Sequence, residues 1–450
     1  MINPTTSHIL VINAGSSSIK FALFNVLSIV TALFEGEISG IGSARSCFTV
    51  RGGDSRDSFE RAFAAPERVT AVNVLVDWLT GRLAPASLCA IAHRVVHGGL
   101  HLAASDKIDG AMLSALYDSA TADPEHLPQE LHLIEMLRRQ YPNAAHIACF
   151  DSAFHAVMPL VASMMAIPYR YYDAGVRRFG YHGLSCAYIM RQLGGLIGPD
   201  AAARKVIIAH LGGGASVTAV EGGQSRDTTM GFSPAGGIAM GSRSGDIDPG
   251  LAWHCVRNEY MDPARFNHMV NHESGLLGVS GTSGDLRELM AGEKTDARAA
   301  QAADLFCYQA RKAICAMAAA IKGVDTLVFT AAVGANSAEA RARICDGLAH
   351  IGVRIDPARN HDNAALISAD GSPVSVRVMR TDEQWMIAEE ARMLLAHPPR
   401  LRECCPWMTW SRRRAPLPIR CARGIPTGRR PTIGLSARTI CSTTPCFGRS

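Results

Sequence analysis

With 450 residues, 48% of them apolar and 19% charged, the chain exceeds what one ordinary core encloses and reads as a two-domain globular protein. No run approaches the roughly 18 apolar residues of a membrane helix, and the first residues lack the basic stretch of a signal peptide. A membrane or secreted protein is therefore not expected, and the expected location is cytoplasmic. The net charge of +5 is uneven: residues 399–450 hold eleven arginines and one acid, +10, which leaves −5 for residues 1–398 and no basic surplus there for nucleic acid.

The first predicted element is an apolar strand, Ile9–Ile12, followed by a small polar turn, Asn13–Ser18, and a second strand alternating about Ile19, Phe21 and Leu23. The turn offers backbone N–H groups and hydroxyls, and Lys20 follows with an ammonium. Such a turn holds phosphate oxygens; the plain alternative is a surface hairpin. The design recurs half a chain later, where Val206–Val220 reads as apolar strand, glycine turn (Gly212–Gly214) and second strand. Two copies predict two domains of related topology facing one cleft, each lending a phosphate-holding turn.

Residues 30–92 read as strands, a polar loop over 52–57 and a helix near Ala71–Leu79. Leu88–Ala92 is a short buried strand that delivers His93–Gly99, with Arg94 at the strand end, where open α/β sheets place ligand groups. Helices within 111–140 flank a rigid turn, Asp123–Pro128. A strand over His146–Phe150 presents Asp151, either a metal ligand or general base, or the cap of the next turn. Arg177–Gly183 combines two cations, aromatics and His182 next to glycine, which suits an anionic ligand approaching closely. Arg243 lies on a loop of small residues before Asp248 and Pro249, which predict an N-cap and first helical position.

Gly281–Arg287 leads into a helix through Leu289. A strand over Asp325–Thr330 runs into a small-residue loop, 331–336. Asn336 with Glu339 reads as a capping box opening a helix over Ala338–Leu348, and a strand, loop and helix start in this order is a common nucleotide site. Thr381–Glu383 precedes a last helix, Gln384–Leu395. The eight cysteines before residue 399 show no CxxC spacing and read as small buried thiols of a reduced protein.

Taken together, VINAGSSSIKF (11–21), HRVVHGG (93–99), FDSAFH (150–155), RFGYHG (178–183), AHLGGGASV (209–217), DTTMGFSP (227–234), MGSRSGDIDPG (240–250), SGLLGVSG (274–281) and TDE (381–383) resemble the acetate kinase family, in order and at matching spacing over residues 9 to about 397. The paired hairpins resemble the wider actin-like, sugar-kinase and Hsp70-like architecture. The resemblance implies an α/β fold of two duplicated actin-like ATPase domains around a central cleft. The first would comprise 1–153 with 381–398 and the second 154–380, leaving 399–450 as a tail. It implies reversible transfer of the γ-phosphoryl group of ATP to acetate, giving acetyl phosphate and ADP, with Mg²⁺ or Mn²⁺ as cofactor, propionate as a further acceptor, and a homodimer.

By position the resemblance implies that Asn13 and Glu383 place the metal and that Lys20, with Ser16–Ser18, neighbours the phosphates. Arg94 would hold the substrate carboxylate beside Val96, Tyr181 and Pro234. Asp151 is the implied catalytic carboxylate, and His182 and Arg243 stabilise the moving phosphoryl group. His210, Leu211, Gly212, Gly213 and Gly214 would contact ATP phosphates. Asp285, Leu286 and Arg287 would bind adenosine, together with Ala332, Val333, Gly334, Ala335 and Asn336. The residue types suit the chemistry: phosphoryl transfer spreads charge over equatorial oxygens, which arginines and a histidine donor stabilise, and a planar guanidinium clamps a carboxylate. A carboxylate is already an adequate nucleophile, which favours metal or water positioning for Asp151.

The sequence also departs from the family. Gly213 replaces the usual Asn, and Ala331, Ala332 and Ala335 replace a Gly-Gly…Glu pattern, all on the nucleotide side. Glu125, Leu127 and Tyr181 replace Leu, Asn and Phe around the substrate's alkyl end. The alternative reading is an ATP-binding conformational module or a pseudokinase; Arg94, His182 and Arg243 argue against it, because a nucleotide switch needs no cations aimed at a second anion. The Arg-, Pro- and Cys-rich tail reads as out-of-frame translation, with a nucleic-acid-binding arm as the functional alternative. It is expected to be disordered and dispensable.

Overall fold

A computed structural model describes residues 8–15, 18–26, 30–43, 45–52, 58–83, 87–99, 104–119 and 127–396. Ser16, Ser17, Glu125, His126 and the tail from 397 onward lie outside the described residues, as do the expectations that rest on them.

The first sheet is built from β1 (His8–Ala14), β2 (Ile19–Asn25), β3 (Thr31–Ser39), β4 (Ser46–Gly52), β5 (Phe59–Phe63), β6 (Leu88–Val95), β7 (Asp106–Lys107) and β8 (Ala145–Phe150), in the spatial order β5-β4-β3-β2-β1-β6-β8-β7. β1 buries Ile9, Leu10, Val11 and Ile12 in succession. An unbroken apolar run is what a central strand covered on both faces requires. On one face the helix Arg68–Thr80 packs through Ala71, Val72, Leu75 and Leu79, the spacing of a helix stripe. Phe21, Phe48 and Trp78 meet there with ring centroids 5.5–5.9 Å apart. Phe21 and Phe48 are fully buried, each worth about 1.5–3 kcal/mol.

The second sheet comprises β9 (Lys205–Leu211), β10 (Ala215–Glu221), β11 (Gln224–Thr228), β12 (Thr326–Thr330) and β13 (Ser375–Val378), in the order β11-β10-β9-β12-β13. β9 pairs antiparallel with β10 and parallel with β12, which pairs parallel with β13. β1 pairs antiparallel with β2 and parallel with β6, which pairs parallel with β8. The segment β3-β2-β1-β6-β8 is therefore matched strand for strand by β11-β10-β9-β12-β13, the duplicated actin-like α/β arrangement. The long helix Ala297–Ala320 starts at Asp296, whose side chain accepts from the N–H groups of Arg298 and Ala299. It lays Ala302, Phe306, Ala310, Ile314 and Met317 inward, with contacts to β9 and β10. The last helix, Glu383–Ala396, packs on β1 and β6 of the first sheet through Ile387, Ala388 and Ala391.

Some boundaries differ from the sequence expectation. The helix read near Ala71–Leu79 runs over Arg68–Thr80. Residues 331–336 are not a loop but a helical turn, Ala331–Asn336. The following helix is Ala338–Cys345, and Ser337 caps it by accepting from the Ala340 N–H; Glu339 pairs with Arg343 instead of reaching back. Among the described residues no helix is long and apolar enough to cross a membrane.

Candidate active site

β6 and β8 run parallel and end together, which brings Arg94 and Asp151 side by side. Arg94 Nη2 donates to Asp151 Oδ2 at 2.8 Å, and the same oxygen accepts from the His182 N–H at 3.0 Å. Asp151 is fixed from both sides: its N–H donates to the Val95 carbonyl, and its own carbonyl accepts from the Gly183 N–H. Its second oxygen, Oδ1, is buried and has no hydrogen-bond partner among the described residues. The turn-cap alternative for Asp151 is not what the geometry shows; both of its long-range partners are site residues. Burial lowers the Arg94 guanidinium pKa, but Asp151, Glu130 and Glu383 outweigh burial and leave it above its ordinary value.

His182 takes a left-handed conformation (φ 60°, ψ 24°) at the N-cap of the helix Gly183–Ile197. Its flanking glycine is required: a Cβ on Gly183 would sit 2.3 Å from the Asp151 carbonyl oxygen. His182 stacks on His210 with centroids 4.0 Å apart, and each ring is held by a hydroxyl through Nδ1, His182 by Ser216 and His210 by Ser185, both at 2.9 Å. Burial, and then the neighbouring His210, Arg94 and Arg243, push the His182 pKa well below its usual value; burial brings His210 to about 4. Both imidazoles are therefore neutral at pH 7. The His182 Nε2 and Arg243 Nη1 atoms converge on Gly214, lying 3.1 and 3.8 Å from where a Cβ of that residue would stand. Arg243 also donates to the Pro234 carbonyl at 3.4 Å.

The glycine turn after β9 sits beside the helical turn that follows β12: a Cβ on Gly212 would lie 3.6 Å from Ala331 Cβ and 3.8 Å from the Ala332 nitrogen. The Gly213 carbonyl accepts from the Gly241 N–H, tying the Arg243 loop to the same turn. A cleft of about 560 Å³ opens there, lined by Asn13, Lys20, Glu35, Glu37, Arg51, His210, Ala331, Ala332 and Glu383 among others. Asn13 and Lys20 pair across the β1–β2 hairpin, so both face this space. Asn13 Nδ2 is 3.5 Å from Glu383 Oε2, and burial followed by the charge of Asp151 raises the Glu383 pKa.

Not every expected nucleotide residue presents its side chain. Leu211, Leu286, Val333 and Ala335 are buried. The Gly334 carbonyl is taken by Arg341, and Asp285 spends its carboxylate on the Arg287 N–H as a helix cap and on the Arg287 guanidinium. Ala332, Asn336 and Gly213 remain exposed. Val96 and Tyr181 are buried in one cluster, and the Tyr181 hydroxyl donates to the Phe232 carbonyl at 2.7 Å. The sequence reading missed the hydroxyls of Ser185, Ser216 and Thr381, the last accepting from Ser185 at 2.8 Å, and also Glu130 and the fully buried Arg341.

Asn13, Glu383 and the unpartnered Asp151 Oδ1 are hard oxygen donors. No group of three or more His, Cys, Asp or Glu residues that could hold a metal is present among the described residues. One or two carboxylates with room for phosphate oxygens is the donor set that suits Mg²⁺.

The family model for the acetokinase family matches residues 8–389. The chain belongs to the acetokinase family. It is 41% identical over 392 residues to the acetate kinase of Nitrobacter hamburgensis, covering 86% of this chain and 96% of that one. It is 38% identical over 397 residues to the propionate kinase of Citrobacter rodentium, covering 87% and 98%. The solved structure of a propionate kinase from Francisella tularensis superposes with a TM-score of 0.80 at 33% identity, covering 85% of this chain and 98% of that one. In this acetokinase-family chain the strand-end Arg94 and Asp151 lie within hydrogen-bond distance.

Proposed function

We propose that this protein is an acetate kinase, transferring the γ-phosphoryl group of ATP reversibly to acetate to give acetyl phosphate and ADP, and accepting propionate as well. The observation that carries this reading is the convergence of Arg94, Asp151, His182 and Arg243 beside the Gly212–Gly214 turn. A conformational module would need the phosphate turns but not the second set of cations.

Arg94 holds the acceptor carboxylate, with its alkyl end among Val96, Tyr181 and Pro234. The Gly212–Gly214 turn and Lys20 hold the nucleotide phosphates, with adenosine against Ala332–Asn336 and Asp285–Arg287. Arg243 and His182 stabilise charge on the equatorial oxygens as the phosphoryl group moves between donor and acceptor. His182, neutral and bonded through Nδ1 to the Ser216 hydroxyl, offers its Nε2 to the phosphoryl oxygens. Asn13, Glu383 and Asp151 would hold Mg²⁺, which would supply positive charge to offset that of the nucleotide phosphates. Asp151 has no proton to remove, because the acceptor arrives ionised.

The two matched sheets support the division into two domains, 1–153 with 381–398 and 154–380, facing this cleft. The proposed assembly is a homodimer, which would cover some of the exposed apolar side chains, such as Trp253 and Tyr260. Free thiols at all eight cysteines of the described residues, with ATP as co-substrate, support a cytoplasmic location. The test is hydroxamate formation from ATP, acetate, Mg²⁺ and hydroxylamine. Stoichiometric product that needs all four supports the reading, and ATP hydrolysis without hydroxamate contradicts it.

A further inference from the structure

Glu130 lies in the first turn of the helix Leu127–Gln140 and is only 3% exposed. A carboxylate buried this deeply costs several kcal/mol unless something compensates it. Its Oε2 accepts from the Val96 N–H at 3.0 Å, and its Oε1 lies 3.8 Å from Arg94 Nη1. The helix turn that carries it is held in place: Arg68 donates both to the neighbouring Gln129 side chain, at 3.0 Å, and to the Gly15 carbonyl at the β1–β2 turn, at 2.8 Å. Glu130 thus touches the two groups that receive the acceptor, the guanidinium through charge and the Val96 backbone through a hydrogen bond.

The charge balance makes this consequential. Arg94 Nη2 is already bonded to Asp151, and Nη1 faces Glu130. An incoming carboxylate meets the Arg94 guanidinium standing between two buried anions, of which Glu130 also feels the charge of Arg68. Asp151 has a second use, since its free Oδ1 suits a cation; Glu130 has none at the reacting atoms. We propose that Glu130 is a positioning residue that sets the affinity of the site for the acceptor carboxylate: it aims the Arg94 fork and fixes the Val96 amide, and its negative charge competes with the acceptor for Arg94. This rests on the reading of Arg94 as the acceptor-binding residue.

Glu130→Gln keeps an acceptor for the Val96 N–H and removes the charge. The KM for acetate is expected to fall about tenfold, because one unit of like charge is removed within a few ångströms of the bound anion. The KM for ATP stays within twofold, and the acetate effect shrinks as salt is raised. Glu130→Asp keeps the charge and leaves the acetate KM within about threefold of the parent. Glu130→Asn, also neutral, supplies the same readout if the Gln variant does not fold. Arg94→Lys replaces the fork by a point charge and raises the acetate KM. An acetate KM in the neutral variants that is unchanged, or that moves together with the ATP KM, overturns the role of Glu130 while Arg94→Lys still supports Arg94. An acetate KM unmoved by Arg94→Lys overturns both.

Discussion

Arg94 Nη2 lies 2.8 Å from Asp151 Oδ2, joining the ends of the parallel strands β6 and β8 across a nearly closed interior. Asp151 is 1% exposed and Arg94 18%, so neither charge is well solvated and each depends on the other. Removing one partner of a buried pair leaves an uncompensated charge, at a cost of about 3–5 kcal/mol. Arg94→Ala is expected to lose stability in that range in urea denaturation. A loss under about 1 kcal/mol would mean that the pair does not hold the two strand ends.

Acid sensitivity follows from the buried histidines. Burial brings His146, His155 and His210 down to about 4, and His93 and His182 lie well below their usual value. In the unfolded chain each titrates near 6.5. Above that pH both states are neutral and the stability is fully present. As pH falls from 6.5 toward 4, the unfolded chain binds protons that the folded one refuses, so stability is lost at up to about 1.4 kcal/mol per pH unit for each histidine. The urea midpoint should drop steeply between pH 6.5 and 5. His155→Gln, which removes a ring held by Ser225 and the Tyr181 carbonyl, should make the slope shallower by about one proton. A midpoint independent of pH would contradict this.

Ala331 sits at φ 64°, where a Cβ is strained. The left-handed region costs a non-glycine residue about 1–2 kcal/mol. Ala331→Gly should raise stability by roughly 1 kcal/mol, read as a higher Tm, and lower the KM for ATP by letting the turn beside Gly212 relax. A Tm that falls would show that the neighbouring β12 end holds this conformation without strain.

Much of this architecture is legible in the sequence, for identifiable reasons. The hairpins β1–β2 and β9–β10 show because an apolar run meeting a Gly/Ser turn is a local signal. Arg94 and Asp151 show because each stands at the end of a short buried strand, Arg94 within the last two residues of β6 and Asp151 just after β8. Asp248 and Pro249 cap and open a helix as their types predict, the Asp248 side chain accepting from the Gly250 N–H. Ser337 and Asn336 are both good caps, and only the backbone decides between them. The turn Ala331–Asn336 is hidden because alanines carry no boundary signal and the left-handed position normally asks for glycine. Glu130 and the hydroxyls of Ser185, Ser216 and Thr381 are hidden for another reason: their partners are distant in sequence, from 25 to 196 residues away, and only the packed sheets bring them together.

Acceptor choice is expected to depend on the pocket proposed around Tyr181, whose hydroxyl is bonded to the Phe232 carbonyl. One methylene in an apolar pocket is worth only about 1–3 kcal/mol. Propionate should be used with a kcat/KM within about tenfold of acetate. A hundredfold preference for acetate would mean that the alkyl pocket is closed beyond the methyl group. Glu125 lies outside the described residues; Glu125→Leu is expected to shift the ratio toward acetate.

Arg243 and His182 are assigned here to a phosphoryl group passing from ATP to a carboxylate held by Arg94. Their role is tested most directly by a single turnover with γ-labelled ATP and saturating acetate, following labelled acetyl phosphate in the parent and in Arg243→Ala. Removing one preorganised donor from a developing charge costs about 10²–10³ in rate, so the variant should form acetyl phosphate at least a hundredfold more slowly while still binding ATP. Labelled acetyl phosphate formed at the parent's rate in Arg243→Ala would contradict the account.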